Sequence, residues 1–281
     1  YLCCWKRRVA MYEEKLEWIL KFLNCFFRIL GRRRGDTIRA YLAEHFAPIY
    51  RHSLSGGDKI LFFGQGLKPL YRGRSLLTKE PETIAWIDGM SSEEVIWDVG
   101  ANIGVYSLYA AKVKKMKVIA FEPSASNYAV LCRNIELNKL DNEITGFCMA
   151  LSDSNKFDRL YFPTTNIGAS GNQQGITKNM FNEDFTPMFS QGSLGMTIDS
   201  LIENWGFIPP NHIKIDVDGI EGLIIDGADK TLKSLKTKSL LVEVVESSKL
   251  KLDNVKEKLE SYGFVGKLHG KNNHIFTREF K

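Results

Sequence analysis

From residue 95 onward, short apolar runs alternate with longer segments that place their apolar residues on one helical face. The runs predicted as core strands are 95–99, 117–121, 143–150, 212–217 and 239–246. The segments predicted as helices include 104–114, 125–138 and 249–263, the last of which ends at Gly263. Strands and helices that alternate at this spacing are typical of βαβ units. The pattern therefore predicts a mainly parallel sheet with helices on both faces.

Two further strand patterns lie outside this alternation. Residues 157–162 have the two-residue apolar period of an extra strand. Residues 264–268 and 273–278 are predicted to pair as a hairpin after the last helix. Such a hairpin would add an antiparallel edge to the sheet.

Residues 163–195 show neither the helical period of 3.6 residues nor the strand period of two. An irregular stretch of more than about 15 residues is usually a functional or a disordered loop. This one is rich in amide and hydroxyl side chains, and aromatic rings are interleaved with them. The rings are Phe181, Phe185 and Phe189. We expect this acceptor loop to fold over the binding site and to hold a polyhydroxylated acceptor.

The N-terminal third differs from the rest in both pattern and charge. Residues 1–78 lack the strand–helix alternation and are predicted to form a helical, basic extension to a domain over 79–281. Of the 281 residues, the first 90 hold 16 Lys and Arg against 9 Asp and Glu, whereas the remainder holds 22 against 24. A local positive field attracts anionic surfaces such as phospholipid or an acidic glycan. No nucleic-acid-binding module is apparent, so nucleic acid is not an expected partner.

The segment 16–30 is predicted to be an amphipathic helix. Lys21, Asn24 and Arg28 form one polar stripe, and apolar side chains cover the opposite side. The segment is shorter than the roughly 20 apolar residues that a membrane span requires. Two interpretations stay open. The helix packs on the main domain or on a second subunit of a homo-oligomer, or it lies in a membrane interface with the basic residues 32–34 against anionic headgroups.

The overall composition is that of an ordinary globular protein, with 44% hydrophobic and 25% charged residues. The cysteines are Cys3, Cys4, Cys25, Cys132 and Cys148. An odd number without a CxxC motif indicates free thiols in a reducing compartment, and it argues against a disulfide framework or a zinc site. We therefore expect a cytoplasmic protein, with a peripheral position at the inner membrane if the amphipathic helix binds lipid.

The sequence DVGANIG, residues 98–104, follows the first core strand. Gly100 permits a positive φ in the turn and lets a ligand approach the backbone, and Gly104 lets the next helix pack tightly on the strand. Asn102 takes the place of the middle glycine in the dinucleotide fingerprint, which weighs against a pyrophosphate cradle. Glu122 comes 18 residues after Gly104, at the end of the second strand. An acid at about this distance hydrogen-bonds ribose hydroxyls, which indicates a ligand that contains a nucleoside.

Two nucleoside cofactors fit this turn, a nicotinamide dinucleotide and S-adenosylmethionine. The turn favours the second, because S-adenosylmethionine has no phosphates and needs room for an amino-acid tail.

The sequence HIKIDVDGIEG, residues 212–222, places several charged side chains in a strand that is otherwise apolar. Strand alternation puts Lys214, Asp216 and Asp218 on one side. Buried charges are costly unless they are paired or functional. With Glu221, these acids could bind a divalent cation or supply a general base. Alternatively, Asp216 pairs with Lys214, and Glu221 interacts with the start of the next helix.

Several stretches together resemble the FkbM family of S-adenosylmethionine-dependent methyltransferases. They are DVGANIGVYSLYAA, AFEPSASNYAVLCRNIELN, MALSD, SLGMTIDSLI and HIKIDVDGIEGLIIDGA. The likeness runs from about Glu80 to about Glu246 in the right order, and KIDVDGIEG is its most particular part. The resemblance implies a Rossmann-like class I methyltransferase fold with a seven-stranded sheet.

The resemblance also implies a set of cofactor-binding residues. They are Asp98, Gly100, Asn102, Gly104, Glu122, Met149, Ala150 and Asp216. Asp98 would lie near the ammonium group of the methionine portion, and Glu122 would accept hydrogen bonds from the ribose. Met149 and Ala150 would lie beside the adenine. Asp216 would face the methyl sulfonium and the acceptor.

Members of the family are O-methyltransferases that act on hydroxyls of polyketides and sugars, including microbial surface glycans. The expected acceptor is therefore a glycan, a glycolipid or a related polyhydroxylated metabolite. The candidate catalytic residues are Asp216, Asp218 and Glu243, and the histidines left open are His212, His269 and His274. Asp218 stands where the family commonly has Glu. A divalent cation is compatible with these acids but not favoured, so no metal ligand is assigned.

Three alternatives are compatible with the same residues. The first is an NAD(P)-binding oxidoreductase, which Asn102 disfavours. The second is a non-catalytic nucleoside-binding module with the same fold. The third is a methyltransferase that acts on nitrogen or carbon.

Overall fold

A computed structural model describes residues 2–181, 183–244, 249–270 and 272–278. The strands, in chain order, are β1 Ile49–Ser53, β2 Lys59–Phe63, β3 Val95–Val99, β4 Lys117–Phe121, β5 Ile144–Phe147, β6 Ala150–Leu151, β7 Lys156–Phe162, β8 Gln173–Gln174, β9 Phe189–Met196, β10 His212–Ile215, β11 Ser239–Glu243, β12 Phe264–His269 and β13 Asn273–Arg278. The helices are α1 Leu2–Ile29, α2 Arg32–His45, α3 Leu67–Arg74, α4 Pro81–Asp88, α5 Val105–Lys114, α6 Ala125–Asn138, α7 Ile198–Trp205, α8 Glu221–Asp226, α9 Asp229–Lys233 and α10 Lys249–Ser261. The chain divides into two compact units, residues 1–48 and 49–281.

The larger unit is built on a seven-stranded sheet with the order β12–β13–β11–β10–β3–β4–β5. Neighbours from β11 to β5 pair in parallel, and β13 runs antiparallel to both β11 and β12. The predicted parallel sheet with a C-terminal antiparallel hairpin is therefore confirmed. The chain passes from β3 outward to β5 and then returns to the other side of β3 as β10. This reversal is the place where open α/β sheets bind ligands, beyond the carboxyl ends of the strands.

Helices cover both faces of this sheet, as predicted. All five residues of β3 are buried, because the strand is apolar on both sides apart from Asp98. On one face, Ile96 packs in a cluster with residues of α4, α5 and α6. On the other, Trp97 packs with residues of α7, α8, α9 and α10. The last two residues of the predicted strand 239–246 lie outside the described residues.

A second sheet has the order β6–β9–β7–β8, and its strands β8 and β9 lie in the stretch that was predicted to be an irregular loop. The extra strand expected at 157–162 is β7, and it pairs antiparallel with β9 over its whole length. Residues 189–195 are thus strand, and the prediction of an irregular segment up to 195 is wrong in this part. The glycines at 192 and 195 interrupt the apolar alternation of β9, which hid the strand. The described residues of 163–172 and 175–188 belong to no helix or strand, and 163–172 connects β7 to β8.

Residues 49–78 belong to the larger unit, so the division between units differs from the one predicted at 78. Strands β1 and β2 form a hairpin. Ile60 and Phe62 of β2 are completely buried in the cluster with α5 and α6. The backbone N–H groups of Leu61 and Phe63 donate to Asn138 Oδ1 and Asn134 Oδ1 at 2.9 and 2.6 Å. The hairpin is therefore part of the core.

The smaller unit consists of α1 and α2, which agrees with the predicted helical character of residues 16–30. Several large apolar side chains of α1 are exposed, including Trp18 at 74%, Phe22 at 73% and Ile29 at 79%. Among the described residues, no helix is both long and apolar enough to cross a bilayer. Contact of 16–34 with a membrane surface or a second subunit stays a prediction.

The cysteines with described side chains are Cys25, Cys132 and Cys148, and all three are exposed free thiols. This is the state that the odd number predicted. The side chains of Cys3 and Cys4 lie outside the described residues.

Candidate functional site

The glycine turn after β3 and the end of β10 meet at the strand-order reversal. Gly100 has φ +83°, and a Cβ at this position would lie 2.0 Å from the carbonyl oxygen of Asp216. The N–H groups of Gly100 and Ala101 both donate to the carbonyl of Phe121, at 2.9 and 3.0 Å. The three strand ends β3, β4 and β10 are thereby held together by backbone contacts that only glycine permits at position 100.

Replacing Gly100 with alanine is expected to destabilise the fold, since the added methyl group would meet backbone atoms that cannot rotate away. Gly57 has φ +89° with nothing within 4 Å, so Gly57→Ala measures the conformational strain alone. We expect Gly100→Ala to lower the free energy of unfolding by about 1–3 kcal/mol more than Gly57→Ala, the usual cost of overpacking. Urea unfolding of both variants measures the difference, and equal losses would contradict the contact.

Gly104 was predicted to let α5 pack tightly on the preceding strand, but its tightest contact is with α6. It precedes α5 with φ +83°, and a Cβ there would lie 2.3 Å from Leu131 Cδ1 of α6. This residue therefore sets how closely α5 and α6 approach each other. It does not line the cleft described next.

A cleft of about 660 Å³, the main cleft, lies over the strand ends. Its walls include most of the predicted site residues, namely Gly100, Asn102, Glu122, Met149, Ala150, Asp216 and Asp218. They also include residues that were not predicted as site residues from the sequence, namely Arg72, Phe121, Asn127, Ala169, Ser170, Asn172 and Gln174. The lining thus combines an aromatic ring and apolar side chains with several amides, a mixture typical of small-molecule and cofactor sites.

Glu122 lies at the end of β4 with its carboxylate against the glycine turn. Its Oε2 accepts the N–H of Asn102 at 2.8 Å, and its Oε1 accepts the N–H of Ser124 at 2.9 Å. The side chain is buried, and burial raises its pKa to about 7 despite these hydrogen bonds. Glu122 is thus a buried acceptor beside Gly100, in the position expected for a ribose-binding acid.

Residues 168–171 form a roof over the main cleft, held by side chains from four places in the chain. Asn102 and Asn127 donate to the carbonyl of Ala169 at 3.0 and 3.1 Å. Arg72 Nε donates to the carbonyl of Gly168 at 2.8 Å. The N–H of Gly171 donates to Asp218 Oδ2 at 2.6 Å. The early part of the predicted loop therefore covers the site.

A buried ammonium lies beneath the cleft, between two carboxylates. Lys214 has a side chain that is 2% exposed, with Nζ 2.8 Å from Asp216 Oδ2 and 3.8 Å from Asp98 Oδ1. Burial alone would lower the pKa of Lys214, but the charges of Asp216 and Asp98 raise it above its usual range. Asp98 Oδ2 accepts the hydroxyl of Ser107 at 2.5 Å, and burial raises the pKa of Asp98. Asp98 therefore faces Lys214 and Ser107 and does not line the cleft.

Asp216 and Glu243 form a carboxyl pair next to this ammonium. Burial would raise the pKa of Asp216, but Lys214 and a hydrogen bond from Glu243 hold it below its usual range. The charge of Asp216, with burial, raises the pKa of Glu243 to about 9. At neutral pH, Glu243 is protonated and donates to the Asp216 carboxylate. Asp216 is consequently a weak base, and Glu243 lies behind it rather than on the cleft wall.

Asp218 differs from Asp216 in its electrostatic surroundings. It lines the main cleft in the left-handed region with φ +62°, where its Oδ2 accepts one backbone N–H. Burial and the charge of Asp216 raise the pKa of Asp218. Of the two aspartates that line the cleft, Asp218 is therefore the better proton acceptor.

The three histidines lie away from the main cleft. His212 begins β10, where its Nε2 is 2.9 Å from Glu94 Oε2 and its Nδ1 is 2.8 Å from Ser239 Oγ. His269 is exposed on β12, and His274 is buried on β13. His212 is thus a partner in a structural network at the opposite end of the sheet.

Among the described residues, no group of three or more His, Cys, Asp and Glu is arranged to hold a metal ion. The acids 216, 218 and 221 point to different partners, which are Lys214, Gly171 and Gly219. The separate hydrogen bonds explain why three nearby acids do not converge on one point.

Residues 98–265 match the family model described as the methyltransferase FkbM domain. The hexuronic acid methyltransferase AglP of Haloferax volcanii is 25% identical over 174 residues, which are 62% of this chain and 66% of that protein. The methyltransferase sdnD of Sordaria araneosa is 28% identical over 201 residues, covering 63% of this chain and 76% of that protein. The chain thus spans just under two thirds of the first relative. The precorrin-6Y C5,15-methyltransferase of Geobacter metallireducens aligns in structure over 73% of this chain and 92% of its own, with 16% identity and a TM-score of 0.44.

Proposed function

The chain belongs to the FkbM methyltransferase family, and on this premise we propose that it transfers a methyl group from S-adenosylmethionine to a hydroxyl of a glycan, a glycolipid or a related polyhydroxylated metabolite. The relative from Haloferax volcanii is named for methylation of a hexuronic acid, which supports a sugar acceptor. The larger unit contains the whole matched region, so the proposal concerns this unit.

The observation that carries the proposal is a set of buried polar atoms around the main cleft that have no hydrogen-bond partner among the described residues. They are Asn102 Oδ1, Asn172 Oδ1, Gln174 Oε1 and Gln174 Nε2. An unpaired buried polar atom costs about 1–3 kcal/mol, so a ligand that pairs with these atoms is strongly favoured. Hydroxyl and amine groups of a nucleoside and of a sugar have the required chemistry.

The residues present fit S-adenosylmethionine. Glu122 offers a buried carboxylate for the ribose hydroxyls, and Gly100 lines the same cleft. Met149 and Ala150 offer an apolar surface for the adenine. When bound, the cofactor supplies a methyl group already activated by its sulfonium.

The chain must therefore align the acceptor and accept its proton. Alignment of two reactants accounts for up to about 7–11 kcal/mol in favourable cases. Ser170 of the roof and the adjacent Asn172 present polar side chains to hold acceptor hydroxyls. Asp218 takes the proton of the reacting hydroxyl, because its pKa is raised, whereas Asp216 stays ionised and keeps Lys214 in place.

Calorimetric titration with S-adenosylhomocysteine, with NAD⁺ as the comparison ligand, tests the cofactor assignment. We expect binding of the first and none of the second. Mass spectrometry of candidate glycans after incubation with isotopically labelled S-adenosylmethionine tests the acceptor class. Binding of NAD⁺ in place of S-adenosylhomocysteine would overturn the proposal.

The affinity for S-adenosylhomocysteine is expected to rise with pH around neutrality. Glu122 has a pKa of about 7, and ribose hydroxyls bind its ionised form, so protonation weakens binding. For one such group the affinity increases up to about tenfold from pH 6 to pH 8. Titrations at several pH values measure this increase.

The variant Glu122→Gln removes both the charge and its titration. We expect a flat pH profile and an affinity lower by about 10- to 100-fold, the effect of losing hydrogen bonds to a charged group. Glu136→Gln is the matched control, because Glu136 is exposed on α6 and pairs with Arg133. A pH profile in Glu122→Gln as steep as in the wild type would rule out Glu122 as its source.

A further inference from the structure

A second cleft, the side cleft, joins the main cleft next to Asp216 and encloses about 390 Å³. Lys79, Tyr106 and Lys214 contribute to its wall. Arg72, Gly100, Asn102 and Asp216 line both clefts. The two clefts are therefore adjacent, and Arg72 lies at their junction.

The three cations of this wall differ in how their charges are compensated. Lys214 is paired with Asp216 and Asp98, and Lys79 is paired with Glu80. Arg72 has no carboxylate within salt-bridge distance in the part of the chain that the structure describes. Arg72 is therefore the cation whose charge is available to a ligand.

Arg72 is also fixed in place before any ligand arrives. It lies on α3, and Leu76, two residues after the end of this helix, is a core residue that is 1% exposed. Its Nε donates to the carbonyl of Gly168 in the roof at 2.8 Å. That bond leaves the two Nη groups for a second partner and fixes the plane of the guanidinium.

We propose that Arg72 binds a carboxylate of a ligand at the junction of the two clefts. A guanidinium with two free Nη groups matches a planar carboxylate through two parallel hydrogen bonds. Asp216 and Asp218 lie on the same walls and repel a group of higher negative charge. A singly charged carboxylate thus fits this site better than a phosphate.

The inference rests on the proposed function, which supplies two sources for the carboxylate. One is the amino-acid portion of the cofactor, and the other is a sugar-acid acceptor. Arg72 lies before residue 98, where the match to the family begins, so the assignment concerns a residue that the family match does not cover.

The test uses the full chain and the variants Arg72→Gln and Arg72→Lys. Arg74→Gln is the matched control, because Arg74 lies on the same helix, is exposed and stacks over the ring of Tyr50 at 5.7 Å. In the cofactor arm, calorimetry compares S-adenosylhomocysteine with 5′-methylthioadenosine, which has the same nucleoside but no carboxylate. In the acceptor arm, with saturating S-adenosylhomocysteine, it compares methyl glucuronide with methyl glucoside.

A carboxylate site requires that Arg72→Gln weakens binding of the carboxylate-bearing member of one pair by about 10- to 100-fold, with its partner unchanged. The ligand pair in which binding weakens identifies whether the cofactor or the acceptor supplies the carboxylate. Arg72→Lys keeps the charge but not the bidentate geometry, so its loss of affinity should be smaller. Arg74→Gln should lose no affinity. Equal changes within each pair, or no change in either, would overturn the inference. Failure of the wild-type chain to bind S-adenosylhomocysteine is a different result, which would overturn the proposed function itself.

Discussion

Replacing Lys214 with methionine is expected to lower the free energy of unfolding by about 3–5 kcal/mol, the usual cost of breaking a buried ion pair from one side. Methionine has a similar length, so the loss comes from charge rather than from a cavity. Without the ammonium, the carboxylates of Asp98 and Asp216 both lose the cation that they face. Urea unfolding measures the loss.

The loss in Lys214→Met should depend on pH in a defined direction. With no ammonium nearby, both aspartates have folded-state pKa values above the value of 3.8 that they have when unfolded. The folded chain then binds more protons than the unfolded chain above about pH 4, so its stability falls as the pH rises. We expect a larger deficit at pH 8 than at pH 5.

A surface lysine provides the control for this experiment. Lys230 pairs with Glu203 at 2.7 Å, but its side chain is 67% exposed, so Lys230→Met should destabilise the fold far less than Lys214→Met. The double variant Lys214→Met/Asp216→Asn should recover part of the loss, because it removes one of the two charges. A pH-independent loss, or no recovery, would contradict the electrostatic explanation.

The variant Asp218→Asn is expected to lower kcat by about 10²–10⁴-fold, the range for removal of a general base. Asparagine tolerates the left-handed region as aspartate does, so the backbone at φ +62° should be retained. Its amide oxygen can still accept the N–H of Gly171. The fold and the affinity for S-adenosylhomocysteine should therefore stay near the wild-type values, while methyl transfer to the acceptor slows.

The comparison variant is Asp216→Asn. If Asp216 acts by holding Lys214 rather than by taking a proton, its replacement should lower stability as well as rate. Transfer rates with labelled S-adenosylmethionine and thermal unfolding separate the two effects. A rate loss confined to Asp216→Asn, with Asp218→Asn fully active, would exclude Asp218 as the base.

The sequence predicted the larger sheet well because its strands are apolar runs bounded by turns. The helix predicted at 125–138 agrees with α6, and the hairpin predicted after the last helix is β12 with β13. These elements fold according to local pattern. Position along the strands also predicted that Gly100 and Glu122 would lie together, because the carboxyl ends of neighbouring parallel strands share one edge.

Other features depend on contacts that a single pattern cannot reveal. The strand β2 is only five residues long, and two of its backbone N–H groups donate to asparagines of α6 that lie more than 70 positions later. Asp98 was expected beside the ligand, but Lys214 reaches it from the neighbouring strand and holds it below the floor of the cleft. Arg72 had no motif around it, and its position depends on a roof residue almost 100 positions away.

The roof over the main cleft comes from a stretch between β7 and β8 that adds no strand to the seven-stranded sheet. The roof is attached by hydrogen bonds between its own backbone carbonyls and N–H groups and side chains of the rest of the unit. Side chains there can be exchanged while those backbone anchors persist. Substitutions in this one short segment can therefore change the acceptor specificity during evolution, while the strand ends beneath it stay the same.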